Sequence, residues 1–383
     1  MNSFRSLKHM PQLDGLRAIA VAGVLVSHFG LGPQLNWLSS VVPWGHLGVR
    51  LFFVLSGFLI TRILLERRAA IGIAVQTPSN ALLLFYARRA LRIFPVFYLT
   101  IFLACILNVS NMRDVAFWHS IYMSNLETVL FTHLADGNAT LRDATSAHFW
   151  SLAVEEQFYL FWPALLLLLD TKFHIKIVFA MICLAPVFRA IWFLYYPDST
   201  SHSLINCLDS LGVGALLTFY SQRSGMQFCW LTNRYRWILL FGVSILGGTI
   251  AMHAFDILYR PRLILMDIGE SIVFGFVVMR ASQGRNDLFG RFLQWTPLNY
   301  IGKISYGVYV YHAFMSPLQK WIWRFFDLPD VASTGWRPLV LVGMTICMSI
   351  LSWHFLEKPI NKLKDRLPRG PALSTGTQLL SVR

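Results

Sequence analysis

Runs of about twenty mostly apolar residues, parted by short polar segments, recur along the whole of this 383-residue chain. A helix needs about 20 such residues to cross a bilayer core, and within hydrocarbon its backbone must satisfy its own hydrogen bonds. The runs at 12–30, 45–64, 92–109, 149–169, 175–196, 205–220, 237–253, 262–280, 304–323 and 337–356 meet that length. Only 14% of the residues are charged, against about 25% in a soluble domain. The sequence therefore predicts an all-α, polytopic membrane helical bundle of about ten transmembrane helices.

The loops test that reading. Arg62, Arg67, Arg68, Arg88, Arg89 and Arg92 fall between the second and third spans. Arg223, Arg234 and Arg236 follow the sixth, while Arg285, Arg291 and Lys303 follow the eighth. Lys358, Lys362, Lys364, Arg366 and Arg369 close the chain. The alternate loops at 31–44 and 197–204 hold no Lys or Arg. The longest, 110–148, sets Arg113 and Arg142 against Asp114, Glu127, Asp136 and Asp143. Positive loops stay cytoplasmic, so both termini are expected inside. This alternation also removes the nucleic-acid reading that a net charge of +14 invites. Arg5 and Lys8 ahead of an apolar run resemble a signal peptide, but the run lacks a small-residue cleavage site and is kept as the first span. Cys105, Cys183, Cys207, Cys229 and Cys347 have no paired spacing, so no metal site or disulfide framework is expected. Within 110–148, "FWHSIYMSNL" is too short to span and reads as an interfacial or re-entrant helix, or as a lid or acceptor platform on the outer face.

The first span, "LDGLRAIAVAGVLVSHFG", carries Asp14, Arg17 and His28. At about 100° and 1.5 Å per residue, Arg17 and His28 lie roughly 20° apart around the axis and about 16 Å along it. Asp14 falls within roughly 40° of His28. One polar stripe thus faces a protein interior or a wet cavity. Taken singly, His28 could be an interfacial histidine and Arg17 a snorkelling, topology-setting arginine; ionisable residues inside a membrane are otherwise functional candidates.

Three further clusters stand out. In "FYARRALRIFP", Arg88 and Arg92 are spaced i,i+4 at the cytoplasmic mouth of the third span; their forked guanidinium groups suit phosphate oxygens, and topology alone would also explain them. "HFWSLAVEEQFYLFWP" places Trp150, Ser151, Glu155 and Glu156 one to two turns into the fourth span. A carboxylate at that depth could orient a histidine, or the pair could face the interface. "LGVRLFFVLSGFLIT" holds Arg50 at an outer boundary and Ser56-Gly57, where small residues favour close helix packing. "ISYGVYVYHAF" puts His312 mid-span with Tyr306, Tyr309 and Tyr311 nearby, as a structural hydrogen bond or a catalytic part.

Taken in order, "LDGLRAIAVAGVLVSH", "GVRLFFVLSGFLIT", "FYARRALRIFP", "HFWSLAVEEQFYLFWP", "SYGVYVYH" and "FLEKP" resemble the signatures of the membrane acyltransferase-3 family. The match is dense over 11–170 and 300–360 and weak over 171–299. The resemblance implies a membrane acyltransferase domain over residues 1–360, followed by a short basic cytoplasmic tail at 361–383. It implies a multi-pass protein of a bacterial inner or plasma membrane, surrounded by lipids. The activity implied is O-acyl transfer, most simply O-acetyl transfer, from cytoplasmic acyl-CoA to a hydroxyl of a carbohydrate or glycolipid acceptor outside. No bound cofactor is implied; acyl-CoA, in the simplest case acetyl-CoA, is a co-substrate. The family's arginine–histidine element falls on Arg17 and His28, its cytoplasmic arginines on Arg88, Arg89 and Arg92, and its acidic pair on Glu155 and Glu156. Under this reading His28 is the general base, Arg17 binds donor phosphate or polarises the thioester, and Glu155 or Glu156 orients His28. Asp14, Trp150, Ser151, Tyr306 and His312 are candidate substrate contacts. The resemblance also implies that many relatives carry a fused esterase-like domain; with a short tail after the membrane domain here, transfer is expected to be completed in the membrane domain or by a partner.

A proton-coupled transporter or flippase is the rival class, since buried His and Glu could relay protons. Such proteins often show internal repeats and matching broken helices, and this sequence shows neither. A purely structural subunit leaves the stripe of Asp14, Arg17 and His28 unexplained. The sequence sets no oligomeric state. The ten-span topology has a direct check: a single cysteine at position 68 should react with membrane-impermeant reagent only from the cytoplasmic side, and labelling only from outside would overturn it.

Overall fold

The computed structural model describes residues 10–32, 35–73, 76–126, 146–196, 202–222, 225–255, 257, 259–328 and 335–367. Every described element is helical, with no strand among these residues. In chain order the helices are α1 Pro11–Phe29, α2 Asn36–Val41, α3 Trp44–Gly72, α4 Pro78–Ile106, α5 Met112–Ser120, α6 Phe149–Leu168 and α7 Thr171–Tyr195. They continue as α8 Leu204–Gln222, α9 Gly225–Ala254, α10 Tyr259–Ser282, α11 Leu288–Leu293, α12 Thr296–Phe325, α13 Arg337–Ser352 and α14 Lys358–Lys362. A helix lies at each of the ten expected spans. Among the described residues, six segments are long and apolar enough to cross a membrane by length and composition alone: α3, α4, α7, α8, α9 and the stretch 337–365. The chain is a multi-pass membrane protein.

Local chemistry explains several boundaries. Pro11 opens α1, where a missing N–H costs nothing. Gly30, at φ 79°, ends it in a conformation other residues adopt only with strain. Thr77 caps α4 by accepting a hydrogen bond from Asn80 N at 3.3 Å, and Asp287 caps α11 from Gly290 N at 2.8 Å. Two helices overrun their expected spans. The first part of α4 is a good helix former, so the helix begins at Pro78 rather than 92, and Arg88, Arg89 and Arg92 sit within it. The third helix runs on through Arg67 and Arg68 to Gly72. After α13 the chain passes through a π-helical turn, Trp353–Glu357, before α14. Residues 358–367 pack back against α4, where Leu367 O accepts from Arg88 at 3.4 Å. The expected tail boundary at 360 thus falls inside a folded turn; residues 368–383 lie outside the described residues.

Packing centres on α1 and α3. The closest pairings are α3 with α8, α1 with α12, α7 with α8, α1 with α3, and α9 with α10. Large apolar side chains are exposed on the outer faces: Phe102 and Leu103 on α4, Val187 and Leu194 on α7, Trp237 and Phe241 on α9. Bare apolar surface on this scale would be a liability in water; against lipid tails it is ordinary. The segment carrying "FWHS" forms α5, nine residues long, with Met112, Val115 and His119 buried and Phe117 exposed. Residues 127–145 of the long outer segment lie outside the described residues.

Polar groups buried between α3, α7, α8 and α10 form a closed ring. Arg50 pairs with Asp209 at 3.1 Å and with Asp267; Arg189 pairs with Asp209 at 2.6 Å and with Asp267 at 3.0 Å. All four side chains are at most 6% exposed. Both guanidinium groups also donate to Asn206 O. Arg50 is therefore a structural node.

Small residues set the helix spacing where the sequence suggested they would. A Cβ on Gly57 would run into the Leu211 carbonyl of α8, and one on Gly302 into the Asp14 carbonyl of α1. Overpacking a tight core costs about 1–3 kcal/mol. Gly57→Val should therefore lower the thermal midpoint of the purified protein by several degrees, while Gly247→Ala, where the new methyl meets nothing within 4 Å, should not. Thermal unfolding in detergent checks both.

Candidate active site

A narrow cavity of about 90 Å³ opens between α1, α3, α4, α6 and α12. Its polar lining is Arg17, Ser56, Arg89, Arg92, Ser151, Glu155, Glu156, Tyr159, Ser305, Tyr306 and Tyr309; Val49, Phe52, Phe53, Ile93 and Leu152 supply the apolar part. At about 1.5 Å per residue, Arg17 stands roughly 9 Å from one end of α1, and Glu155 roughly 9 Å from the opposite end of α6. The cavity is thus near mid-bundle.

Arg17 is held by Asp14, whose Oδ1 accepts from Nη1 at 2.9 Å. Asp14 is buried and does not line the cavity, so it aims Arg17 instead of meeting a ligand there. Arg89 and Arg92, spaced i,i+3, face the cavity; Arg88 instead donates to the chain at Leu367. Of the three arginines expected at the donor site, Arg89 and Arg92 thus line the cavity and Arg88 does not. Arg89 lies over the Tyr159 ring at 4.8 Å and near Phe85 at 5.8 Å. Among the described residues, neither Arg89 nor Arg92 has a carboxylate within ion-pair distance. Three guanidinium groups therefore converge on the cavity and share it with the carboxyl groups of Glu155 and Glu156, so the cations that could receive an anion already have acidic groups near them.

Across the cavity, Glu155 Oε1 accepts from Ser56 Oγ at 2.6 Å, and Ser56 Oγ accepts from Tyr159 at 3.0 Å. Ser151 and Tyr309 share a short hydrogen bond, and the Tyr309 hydroxyl donates to His148 O at 3.0 Å. Tyr306 donates to Ile93 O at 2.8 Å, bracing α12 against α4. Trp150, expected as a substrate contact, packs edge-on to Phe53 and against His202, outside the cavity lining.

The histidines gather beyond the cavity, at the end of the bundle expected to face outward. His312 is fully buried, and its Nδ1 lies 2.7 Å from Tyr309 O. A carbonyl only accepts, so Nδ1 carries the proton and Nε2 presents a lone pair; Nε2 has no partner among the described residues. The His28 and His148 rings each stand 4.7 Å from the His312 ring, centre to centre. His28 is exposed, so it opens this group to the surroundings. The expected carboxylate beside His28 is not found there: Glu155 is engaged with Ser56, and the imidazole's neighbour is His312. Spacing along one helix could not show this, because the partner arrives from α12.

The site therefore has two parts linked by Tyr309, which lines the cavity with its ring and holds His312 with its carbonyl. Ser56, Tyr159, Tyr309 and His148 escaped the sequence reading as site residues. The signal available was their position within the quoted motifs, one or two turns from the charged residues.

These motifs and this fold define a class. The family described as an acyltransferase domain matches residues 10–353, and the chain belongs to it. The chain is 29% identical to the peptidoglycan O-acetyltransferase OatA of Listeria monocytogenes, over 93% of this chain and 56% of that protein. It is 28% identical to the putative peptidoglycan O-acetyltransferase YrhL of Bacillus subtilis, over 92% and 55%. It is 26% identical to the O-acetyltransferase OatA of Staphylococcus aureus, over 93% and 58%. The chain thus spans a little over half the length of these curated relatives. No solved structure matches it.

Below the cavity and past the apolar run at 337–356, Lys364 approaches the arginine cluster from the folded C-terminal turn. Its ammonium adds a fourth cation to those of Arg88, Arg89 and Arg92. Lys364→Met should therefore weaken the binding of a phosphorylated ligand, and calorimetry on the purified protein measures the loss.

Proposed function

We propose that this protein is an O-acetyltransferase that moves an acetyl group from acetyl-CoA to a hydroxyl of a cell-wall glycan or glycolipid across the membrane. The observation that carries this reading is the juxtaposition just described. Arg17, Arg89 and Arg92 converge on a cavity within the bundle, and a histidine pair with His28 exposed stands beyond it. The names of the relatives from Listeria, Bacillus and Staphylococcus support O-acetyl transfer, with peptidoglycan named for two of them. The positive loops favour a donor site on the cytoplasmic side.

In this mechanism the coenzyme A phosphates lie on the arginine side, near Arg89, Arg92 and Lys364. Bidentate pairing of guanidinium with phosphate supplies both charge and orientation. The acyl end extends through the cavity, past Ser151 and Tyr309, toward the histidines. His28 accepts the proton of the acceptor hydroxyl, whose oxygen attacks the thioester carbonyl carbon. The carbon–sulfur bond breaks, and coenzyme A leaves as the thiol once its sulfur regains a proton. His312, with Nδ1 committed to Tyr309 O, would fix the His28 ring and favour its correct tautomer. Arg17 and His28 are about 16 Å apart along one helix, so both cannot serve a single carbonyl. Of the two roles expected for Arg17, donor binding fits that separation. Glu155, hydrogen-bonded to Ser56, balances the arginines and shapes the passage.

General-base catalysis contributes about 10² to 10⁴ in rate. His28→Ala should therefore lower transfer from labelled acetyl-CoA to a soluble sugar acceptor by at least about 100-fold, with donor affinity unchanged. His28→Gln should fail equally, because an amide cannot accept the proton. Full transfer by the alanine variant would remove His28 from the chemistry. A transporter would bind neither substrate productively in this purified assay, so any acetylated product rejects the rival class.

A further inference from the structure

The ring of Arg50, Arg189, Asp209 and Asp267 contains two cations and two anions, and so closes on itself electrically. Glu270, one turn along α10 from Asp267, is left over. It is fully buried, and neither of its oxygens receives a hydrogen bond among the described residues. A buried carboxylate is tolerated only when it is paired, and His46 is its ion-pair partner among the described residues. The side chain within reach is His46, at the start of α3, whose Nε2 lies 3.2 Å from Glu270 Oε2 and 2.8 Å from Asp267 Oδ1.

One proton on Nε2 serves the two oxygens unequally. An N–H points in a single direction, and the nearer Asp267 takes it, which leaves Glu270 unsatisfied. A metal ion can serve both, because it accepts a lone pair from each ligand atom. We propose that His46, Asp267 and Glu270 hold a divalent metal ion of the zinc class, contrary to the sequence expectation of no metal site.

Three features support it. The donor set of one imidazole and two carboxylates is a zinc-type set, and bonds of about 2.0–2.1 Å at a tetrahedral centre put ligand atoms roughly 3.3 Å apart. The three donor atoms here lie within 4.8 Å of one another, two of the pairs at 2.8 and 3.2 Å, so small side-chain shifts bring them to that spacing. The support behind one carboxylate is already in place. Arg50 and Arg189 both hold Asp267 through Oδ2, which leaves Oδ1 directed at His46, as outer partners do for ligating carboxylates. Finally, the site is reachable. The His46 side chain is 34% exposed, whereas Asp267 and Glu270 are 6% and 0% exposed. The ion would enter past the imidazole and rest on the buried carboxylates. It would pin the start of α3 to α10, and with it the wall of the cavity that carries Val49, Phe52, Phe53 and Ser56. This assignment stands apart from the acetyl-transfer reading, and either can fail without the other.

The experiment uses the full chain, purified in detergent without a histidine tag, treated with chelator and then titrated with Zn²⁺, with Mg²⁺ and Ca²⁺ as contrasts. Binding is read by isothermal calorimetry and by metal analysis after gel filtration, and the consequence by thermal unfolding. The expected result is one Zn²⁺ per chain and a midpoint raised by several degrees, with little response to Mg²⁺ or Ca²⁺. His46→Gln, a change at the accessible rim that leaves folding intact, should weaken Zn²⁺ binding by more than the roughly 10- to 100-fold typical of an outer-shell change. Glu270→Gln should abolish it. No stoichiometric Zn²⁺ in the parent protein, equal binding by His46→Gln, or a larger response to Mg²⁺ or Ca²⁺ would each overturn the proposal.

Discussion

Four helices of this bundle meet on a ring of two arginines and two aspartates, and the rest of the architecture follows from the need to keep that ring closed. In a low-dielectric interior each of these charges alone is costly, while the complete set is mutually satisfied. Arg50 comes from α3, Arg189 from α7, Asp209 from α8 and Asp267 from α10, so no two-helix substructure can satisfy it. The ring therefore selects one relative arrangement of α3, α7, α8 and α10, at the cost of needing every member present. Apolar contact alone selects weakly in lipid, where the tails are as apolar as leucine.

With α3 placed in this way, the remaining helices have little choice. The first helix packs against α3 on one side and α12 on the other through glycines that bring the backbones together. That close approach turns the Asp14–Arg17 pair toward α4 and α6. The arginines of α4 and the glutamates of α6 then share one cavity with Arg17. The same approach brings His312 of α12 up to His28 of α1. A cluster of cationic groups and a histidine group thus stand on a common helix, separated by about three turns (~16 Å). Separation of this kind suits a reaction whose donor carries its charge at one end and its reactive carbon at the other.

Much of this was legible in the amino-acid order. Apolar run length set the helix positions, since hydrocarbon thickness is a fixed ruler. The 3.6-residue repeat put Asp14, Arg17 and His28 on one stripe, and the hydrogen bond from Arg17 to Asp14 lies along it. Gly57 was readable as a packing residue because nothing larger lets two backbones approach so closely. Helix ends were read less well: α4 begins at Pro78, well ahead of its expected start at 92, since good helix formers continue a helix beyond the apolar core.

What tertiary structure decided was partnership. Helical periodicity states which residues share a face of one helix, but it says nothing about which helix that face meets. Glu155 and His28 have compatible chemistry and similar expected depth, yet Glu155 belongs with Ser56 and Tyr159, and His28 with His312. Arg89 rather than Arg88 joins Arg92 in the cavity, because the folded C-terminal turn draws Arg88 aside. Arg189, Asp209, Asp267 and Glu270 lie in the stretch of weakest motif resemblance, where single charges are scattered over three helices. Only their assembly around Arg50 and His46 gives them meaning. The sequence determined the helices and the faces they present. The pairing of those faces was settled by long-range satisfaction of buried charge, a quantity that no local pattern in the chain encodes.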